Sequence, residues 1–319
     1  MLQKEIEPRT CKQLLKEFKE DTVKKTEILK FAGVGEKDVY NPSVPLEIKG
    51  QKIMAGRVEE RDSELSRTLF FKPEGKKEEV WKVMEEGPEF ELQDPFFAEI
   101  DDYLTLGGVR VICNDQGEIT SWVTDFYRSK NLQKWEKFAT GPSHMKDIRL
   151  IELESGDIGV FTRPQGEEMQ KKYGCIAKIG FYKARGFNDI TAEKIKNARL
   201  LNGLFVNDEW GGCNQLHLLK NGLIGVIGHK AYMDDEQKKH YYGIAFAFDP
   251  GTGKFTQNKI IITRDSFPEG PAKRSDLEDI IFTSGIIRNH DGTAVLYTGL
   301  SDCQVGRAVI ADPFLEYED

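Results

Sequence analysis

Several absences narrow the field. The five cysteines (Cys11, Cys113, Cys175, Cys213 and Cys303) are odd in number, scattered, and never in Cys-x-x-Cys spacing. That pattern speaks for free thiols in a reducing compartment and against a zinc site, so no metal or other cofactor is expected. No apolar run approaches the roughly 18 residues that cross a bilayer. Residues 1–18 are charged and lack the apolar core of a secretory leader, so a cytoplasmic location is the expectation. Positive charge is also short: 45 Lys and Arg face 53 Asp and Glu, for a net charge of −8. Without a long basic patch, neither nucleic acid nor an anionic membrane surface is an expected partner. G-x-S-x-G, H-E-x-x-H and a P-loop are missing, and no nucleotide fingerprint follows a βαβ pattern. No linker rich in proline, glycine or serine divides the 319 residues.

What the chain does have is a period. Asn41, Asp94 and Asp147 follow one another at 53-residue intervals, and each is followed sixteen positions later by an arginine: Arg57, Arg110 and Arg163. Short apolar strands and tight turns fill the space between. Hairpins are expected over 44–58, 149–162, 215–228 and 286–298, the third turning at Asn221-Gly222. A unit of about 50 residues that recurs as a four-stranded sheet is the mark of a β-propeller blade. Taking Asn214 and Ser284 as further unit starts gives five units, the last two intervals lengthened to 67 and 70 residues by loops. The expectation is therefore an all-β, five-bladed β-propeller over residues 35–319. A short N-terminal helical extension precedes it in residues 1–34. Leu14, Leu15 and Phe18 would share one helical face over 8–30, capped by Thr10. A β-sandwich is the alternative, and the regular period opposes it.

Chemistry in a propeller sits on the central axis, so the repeat points to the residues that would carry it. Strand alternation puts Arg57 and Glu59 on one face with Ile53 and Ala55. This reads either as a solvated strand with a salt bridge or as a strand end at the channel mouth. Asp94-Pro95 precedes Phe96-Phe97, and a carboxyl beside an apolar pair is expected to have a raised pKa, as a general acid needs. Lys146-Asp147 and Arg163-Pro164 bound the third unit, either as a blade-to-blade salt bridge or as part of a site. Gly211-Gly212, ahead of Asn214 and Gln215, permits close backbone approach to a ligand. His229 ends a buried strand. Tyr297 and Asp302 stand at another strand end.

These segments, in this order, resemble glycoside hydrolase family 130, the β-mannoside phosphorylases and mannosidases, within a larger group of five-bladed propeller sugar enzymes. The resemblance runs from Tyr40 to the C-terminus. It rests on Tyr40-Asn41-Pro42 with 55–59, Asp94-Pro95, Lys146-Asp147 through Arg163-Pro164, Gly211-Gly212 through His229, and Tyr297 through Asp302. Two departures mark a divergent branch. Phe96 stands where the family has arginine after Asp-Pro, and of a Tyr-His-Gly triplet only His229 is present.

The resemblance implies an inverting enzyme acting on a β-mannoside or related short oligosaccharide. Asp94 would be the acid, and either inorganic phosphate as co-substrate or water would attack. Substrate contacts would fall to Asn41, Arg57, Glu59, Lys146, Asp147, Asn214, Gln215, Tyr297 and Asp302. Phosphate would meet Arg163, His229 and Arg264. A hydrolase would need a base among Glu59, Asp147 and Asp302. A non-catalytic sugar-binding propeller is the second expectation and a scaffold with a closed channel the third. A homo-oligomer is left open.

Overall fold

The computed structural model describes residues 1–318 and is built almost wholly from antiparallel strands. Their pairings resolve into five four-stranded units. The first has Gln51–Glu59, Arg67–Glu74 and Val80–Val83, with an inner strand broken into Asp38–Tyr40 and Leu46–Ile48. The second runs from Gln93–Ile100 to Glu136–Thr140, and the third from Arg149–Glu152 to Arg199–Leu201. The fourth runs from Trp210–Leu218 to Lys259–Ile262. The fifth comprises Asp279–Arg288, Thr293–Leu300 and Gln304–Ala311, and its fourth strand is Val23–Ala32 from the other end of the chain. Apolar clusters lie between neighbouring sheets, such as Phe96, Phe126 and Ile148 with Val160.

The expected hairpins are present. The helix expected over 8–30 is confined to Cys11–Leu15, where Thr10 and Gln13 form a capping box and Leu14 is buried. The β-branched Val23, Thr26 and Ile28 belong instead to the strand that pairs with Gln304–Ala311. A boundary after residue 34 would cut this strand from the sheet it completes. Upstream, the chain crosses the fourth sheet. Gln3 bridges to Phe255, and the buried Lys230 donates to the carbonyls of Arg9 and Leu204 (2.9 Å for the latter) while pairing with Glu209 at 3.1 Å. Among the described residues, no helix is long and apolar enough to cross a membrane.

Four of the five unit starts fall where an inner strand is interrupted, and Asp147 falls just before one begins. Asn41 begins the break in the first. The register of the second slips between Gln93 and Phe96, across Asp94-Pro95. Asp147 stands just ahead of Arg149–Glu152. The fourth slips at Asn214, between Cys213 and Gln215, and the fifth at Ser284, between Thr283 and Gly285. Asn41, Asp94 and Asp147 share a left-handed backbone, with φ of 42°, 49° and 58°. Asn and Asp tolerate that region better than other side chains, and such a kink re-aims a residue out of the strand's alternation. The 53-residue period is thus a period of strand kinks.

Candidate active site

The kinks bring their side chains together. Asn41 Nδ2 donates to Asp94 Oδ1 at 2.8 Å, joining the first two sheets. Arg57 Nη1 reaches the same oxygen at 3.1 Å. Arg57 also lies over the Tyr40 ring at 4.7 Å, donates from Nε to Ser66 Oγ at 2.8 Å, and pairs through Nη2 with Glu59 (3.0 Å) and Glu64 (3.1 Å). Glu59, on the same face as Arg57, is fully engaged: Tyr40, Ser66 and Lys273 also donate to it.

The third and fourth sheets supply a second group. Arg163 Nη1 donates to Asp147 Oδ2 at 2.7 Å, and His229 Nε2 lies 3.7 Å from that oxygen. His229 Nδ1 is 2.8 Å from Asn214 Oδ1, and the imidazole stacks on Tyr241, interplanar angle 18°. Tyr241 is held by the Trp210 indole N–H at 2.9 Å. Arg163 Nε and Asn214 Nδ2 are buried donors without an acceptor.

The electrostatics divide the carboxyls. Burial opposes ionisation of Asp147, yet Arg163, His229, Lys146 and Arg149 outweigh it and bring its pKa to about 2. Burial likewise opposes the charge of Asp94, but Arg57, Lys146 and the Asn41 hydrogen bond hold it below the usual carboxylate range. The raised value expected from Phe96-Phe97 is therefore corrected. Those rings face elsewhere, Phe96 beneath Arg149 at 4.1 Å and Phe97 against Phe70. Asp302, half-buried, moves up: burial dominates and the Asp94 charge adds to it, against the pull of Arg57. Burial takes His229 down to about 3, so its imidazole is neutral near pH 7.

Asn41, Arg57, Glu59, Asp94, Asp147, Arg163, Asn214 and His229 thus form two hydrogen-bonded groups; Lys146 acts electrostatically on Asp94 and Asp147, and Asp302 on Arg57. Three expected site residues lie elsewhere. Gln215, one residue past the kink, points away: its Oε1 accepts from Ile286 N (2.6 Å) and meets His217 (2.8 Å). Tyr297 packs with Leu29 and Trp81 in the core of the first and fifth sheets. Arg264 is spent on Ser301 Oγ (3.1 Å) and the Pro268 carbonyl (2.9 Å). Arg110 pairs within its own sheet with Asp125 at 2.6 Å. Gly211-Gly212 does allow a close approach, but its neighbours are protein: a Cβ on Gly212 would sit 2.9 Å from Asp147 and 3.1 Å from Arg163.

Tyr40, named from sequence only as part of a motif, and Ser66, Glu64, Arg149, Tyr241 and Lys273, not singled out there, complete the surroundings. Tyr40 and Arg149 flank period residues and were within reach. Lys273, in a Pro/Gly-containing loop, carries no periodic signal. A separate cavity of about 530 Å³ opens at the far ends of the first three inner strands, beside Ile48, Ile100 and Glu152, and contains none of these groups. Among the described residues, no group of three or more His, Cys, Asp or Glu side chains is arranged to hold a metal. All five cysteines are free.

Residues 16–316 match a family model described as a protein of unknown function, DUF1861. A mannose phosphorylase from Leishmania mexicana, solved with a phosphate ion, is 37% identical over 97% of this chain and 95% of its own, with a TM-score of 0.88. A GDP-Man-dependent mannosyltransferase from the same organism is 35% identical over 97% and 96%, with a TM-score of 0.86. The fold extends to a β-1,2-mannobiose phosphorylase from Listeria innocua, at 13% identity, 92% coverage of both chains and a TM-score of 0.60. No curated protein matches the chain.

Proposed function

The chain belongs to the family described as DUF1861, and from that premise we propose that it is an inverting glycoside phosphorylase acting on a β-mannoside or a related short oligosaccharide. The observation that carries the reading is the pair of unsatisfied buried donors, Arg163 Nε and Asn214 Nδ2, beside an ion-paired Asp147. A buried N–H without an acceptor costs free energy, and a phosphate oxygen would satisfy it. The phosphate ion of the 37% identical mannose phosphorylase supports the same choice.

In this reading a phosphate oxygen forms a bond to the anomeric carbon from the face opposite the leaving oxygen. The glycosidic C–O bond breaks, and the leaving oxygen takes a proton from Asp94. The product is a sugar 1-phosphate of inverted configuration. Asp94 is ionised in the free protein because Arg57 and Lys146 draw its proton off. Lys146 also acts on Asp147, so a phosphate dianion beside Asp147 and Arg163 offsets that positive field. Phosphate binding thereby raises the proton affinity of Asp94, which takes up a proton from solvent before it gives one to the leaving oxygen.

Hydrolysis is the weaker reading, since it needs a carboxylate base. Glu59 is engaged by four donor residues, and Asp147 is pinned to Arg163 with a pKa of about 2. Both are poor bases, which leaves Asp302 alone of the three candidates.

The test is incubation with a panel of manno-oligosaccharides, with and without phosphate. Sugar 1-phosphate formed only with phosphate supports the proposal. Free mannose released equally without phosphate makes the protein a hydrolase, and binding without turnover makes it a sugar-binding propeller.

A further inference from the structure

We infer that Lys273 is a positioning residue that acts on Asp94 through Arg57; the inference rests on the reading of Asp94 as proton donor. The observation is a closed ring of alternating charge. Glu59 gives Oε1 to Lys273 and Oε2 to Arg57 Nη2 at 3.0 Å. Glu64 does the same, with Oε1 to Lys273 at 3.0 Å and Oε2 to Arg57 Nη2 at 3.1 Å. Two carboxylates thus bridge two cations, each with one oxygen apiece. The other end of the guanidinium, Nη1, is left to hold Asp94 at 3.1 Å.

Lys273 comes from afar to do this. It lies in the loop between the fourth and fifth sheets, whereas Glu59 and Glu64 belong to the first. Its side chain is 3% exposed, and Nζ also donates to the Ser63 carbonyl at 2.6 Å. The loop is fastened at its base, by Lys273 N–H to the Ser301 carbonyl at 2.9 Å and Cys303 Sγ to the Pro271 carbonyl at 3.1 Å. The same turn carries Asp302. A buried lysine with this many partners is costly to hold in place, and its position is well determined.

The ring matters because Arg57 has one charge to share. With Lys273 in place, two cations meet two glutamates, and Arg57 can present its free edge to Asp94. Arg274 also reaches Glu64, Nη1 to Oε1 at 3.3 Å, but not Glu59. Without Lys273, Arg57 is therefore the one cation that spans both glutamates, and it is drawn toward them. Asp94 then loses counter-charge, and its proton affinity rises. A loop fastening with no link to Asp94 would lower stability and activity at every pH, without moving the pH profile.

The experiment measures kcat and KM against pH, with a manno-oligosaccharide and phosphate, for Lys273→Met, Lys273→Arg and Glu64→Gln, with Asp94→Asn as control. Loss of Lys273 removes a positive charge, so Lys273→Met moves the alkaline limb of kcat to higher pH, by about half a unit or more. Glu64→Gln removes a negative charge and moves it to lower pH. Lys273→Arg returns the limb to its wild-type position. The sugar KM changes less than kcat in Lys273→Met, because Lys273 does not touch substrate. Opposite shifts support the inference; limbs that stay in place, or move the same way, overturn it. If Lys273→Met fails to fold, Glu64→Gln decides, since Glu64 is 46% exposed and tolerates the change: an unmoved limb there overturns the inference. An Asp94→Asn variant that keeps turnover overturns the reading of Asp94 and this inference with it. An inactive Asp94→Asn beside unmoved limbs overturns the inference alone.

Discussion

Asp94 and Asp302 are both acted on by the Arg57 guanidinium, yet their proton affinities move in opposite directions, Asp94 down and Asp302 up. Carboxyls driven apart in this way take different roles. Asp94→Asn is expected to lower kcat by about 10²–10⁴-fold with the fold intact. Asp302→Asn is expected to act mainly on the sugar KM. Steady-state kinetics of the two variants check this. An equal loss of kcat in Asp302→Asn, at unchanged KM, would make Asp302 the proton donor.

Arg163 offers an unsatisfied Nε–H beside the bond it already makes to Asp147. Lysine keeps the charge but loses the planar fork. Arg163→Lys is therefore expected to raise KM for phosphate about tenfold, the scale of one charge-assisted hydrogen bond, while the sugar KM changes little. Initial rates with each substrate varied in turn separate the two.

Stability should fall in mild acid, and His229 should be a principal cause. The unfolded chain takes up a proton near the ordinary value of 6.5, whereas the buried imidazole resists until about pH 3. Stability present above pH 6.5 is therefore lost as pH falls through that window. Asp147, at about 2 against an ordinary 3.8, adds a further loss between those values, with the same sign. Urea midpoints at pH 7, 5.5 and 4 measure the slope. The difference between wild type and His229→Gln isolates the histidine, with the variant showing the shallower fall.

Lys230 and Glu209 fasten the N-terminal crossing to the fourth sheet. Glu209 also accepts the Cys11 N–H at 2.7 Å. Lys230→Met leaves a buried carboxylate without its cation and the Arg9 carbonyl without its donor, while Leu204 O keeps Asn258 Nδ2 at 3.0 Å, at an expected cost of about 3–5 kcal/mol. Adding Glu209→Gln should return part of that. Denaturant unfolding of the single and double variants tests it.

The repeat was legible because the kinks recur in the chain, and because Asn, Asp and their neighbours carry the kink chemistry locally. The hairpins were legible for a similar reason, since turn residues at short range mark them. What sequence concealed lies at long range. The strand Val23–Ala32 is charged at Lys24, Lys25, Glu27 and Lys30, and its partner is at the other end of the chain. Lys273 has no local reason to be buried; its reason is Glu59 and Glu64. The pKa of Asp94 was misjudged because neighbours in sequence, Phe96 and Phe97, stood in for neighbours in space, Arg57 and Lys146. Gln215 shows the precision that a kink demands: one residue past Asn214, the side chain leaves the axis.

The ring-closing strand has a consequence for how the protein is made. Val23–Ala32 leaves the ribosome about 280 residues ahead of Gln304–Ala311, with which it pairs. At about 5–20 residues per second, the strand waits for tens of seconds without its partner. During that wait it is an open edge beside growing, half-finished sheets. Its lysines, spaced along the strand, are the kind of side chain that keeps such an edge from adding to another chain. The charge that hid this strand from sequence reading thus suits an edge that stays open until Gln304–Ala311 arrives to close the ring.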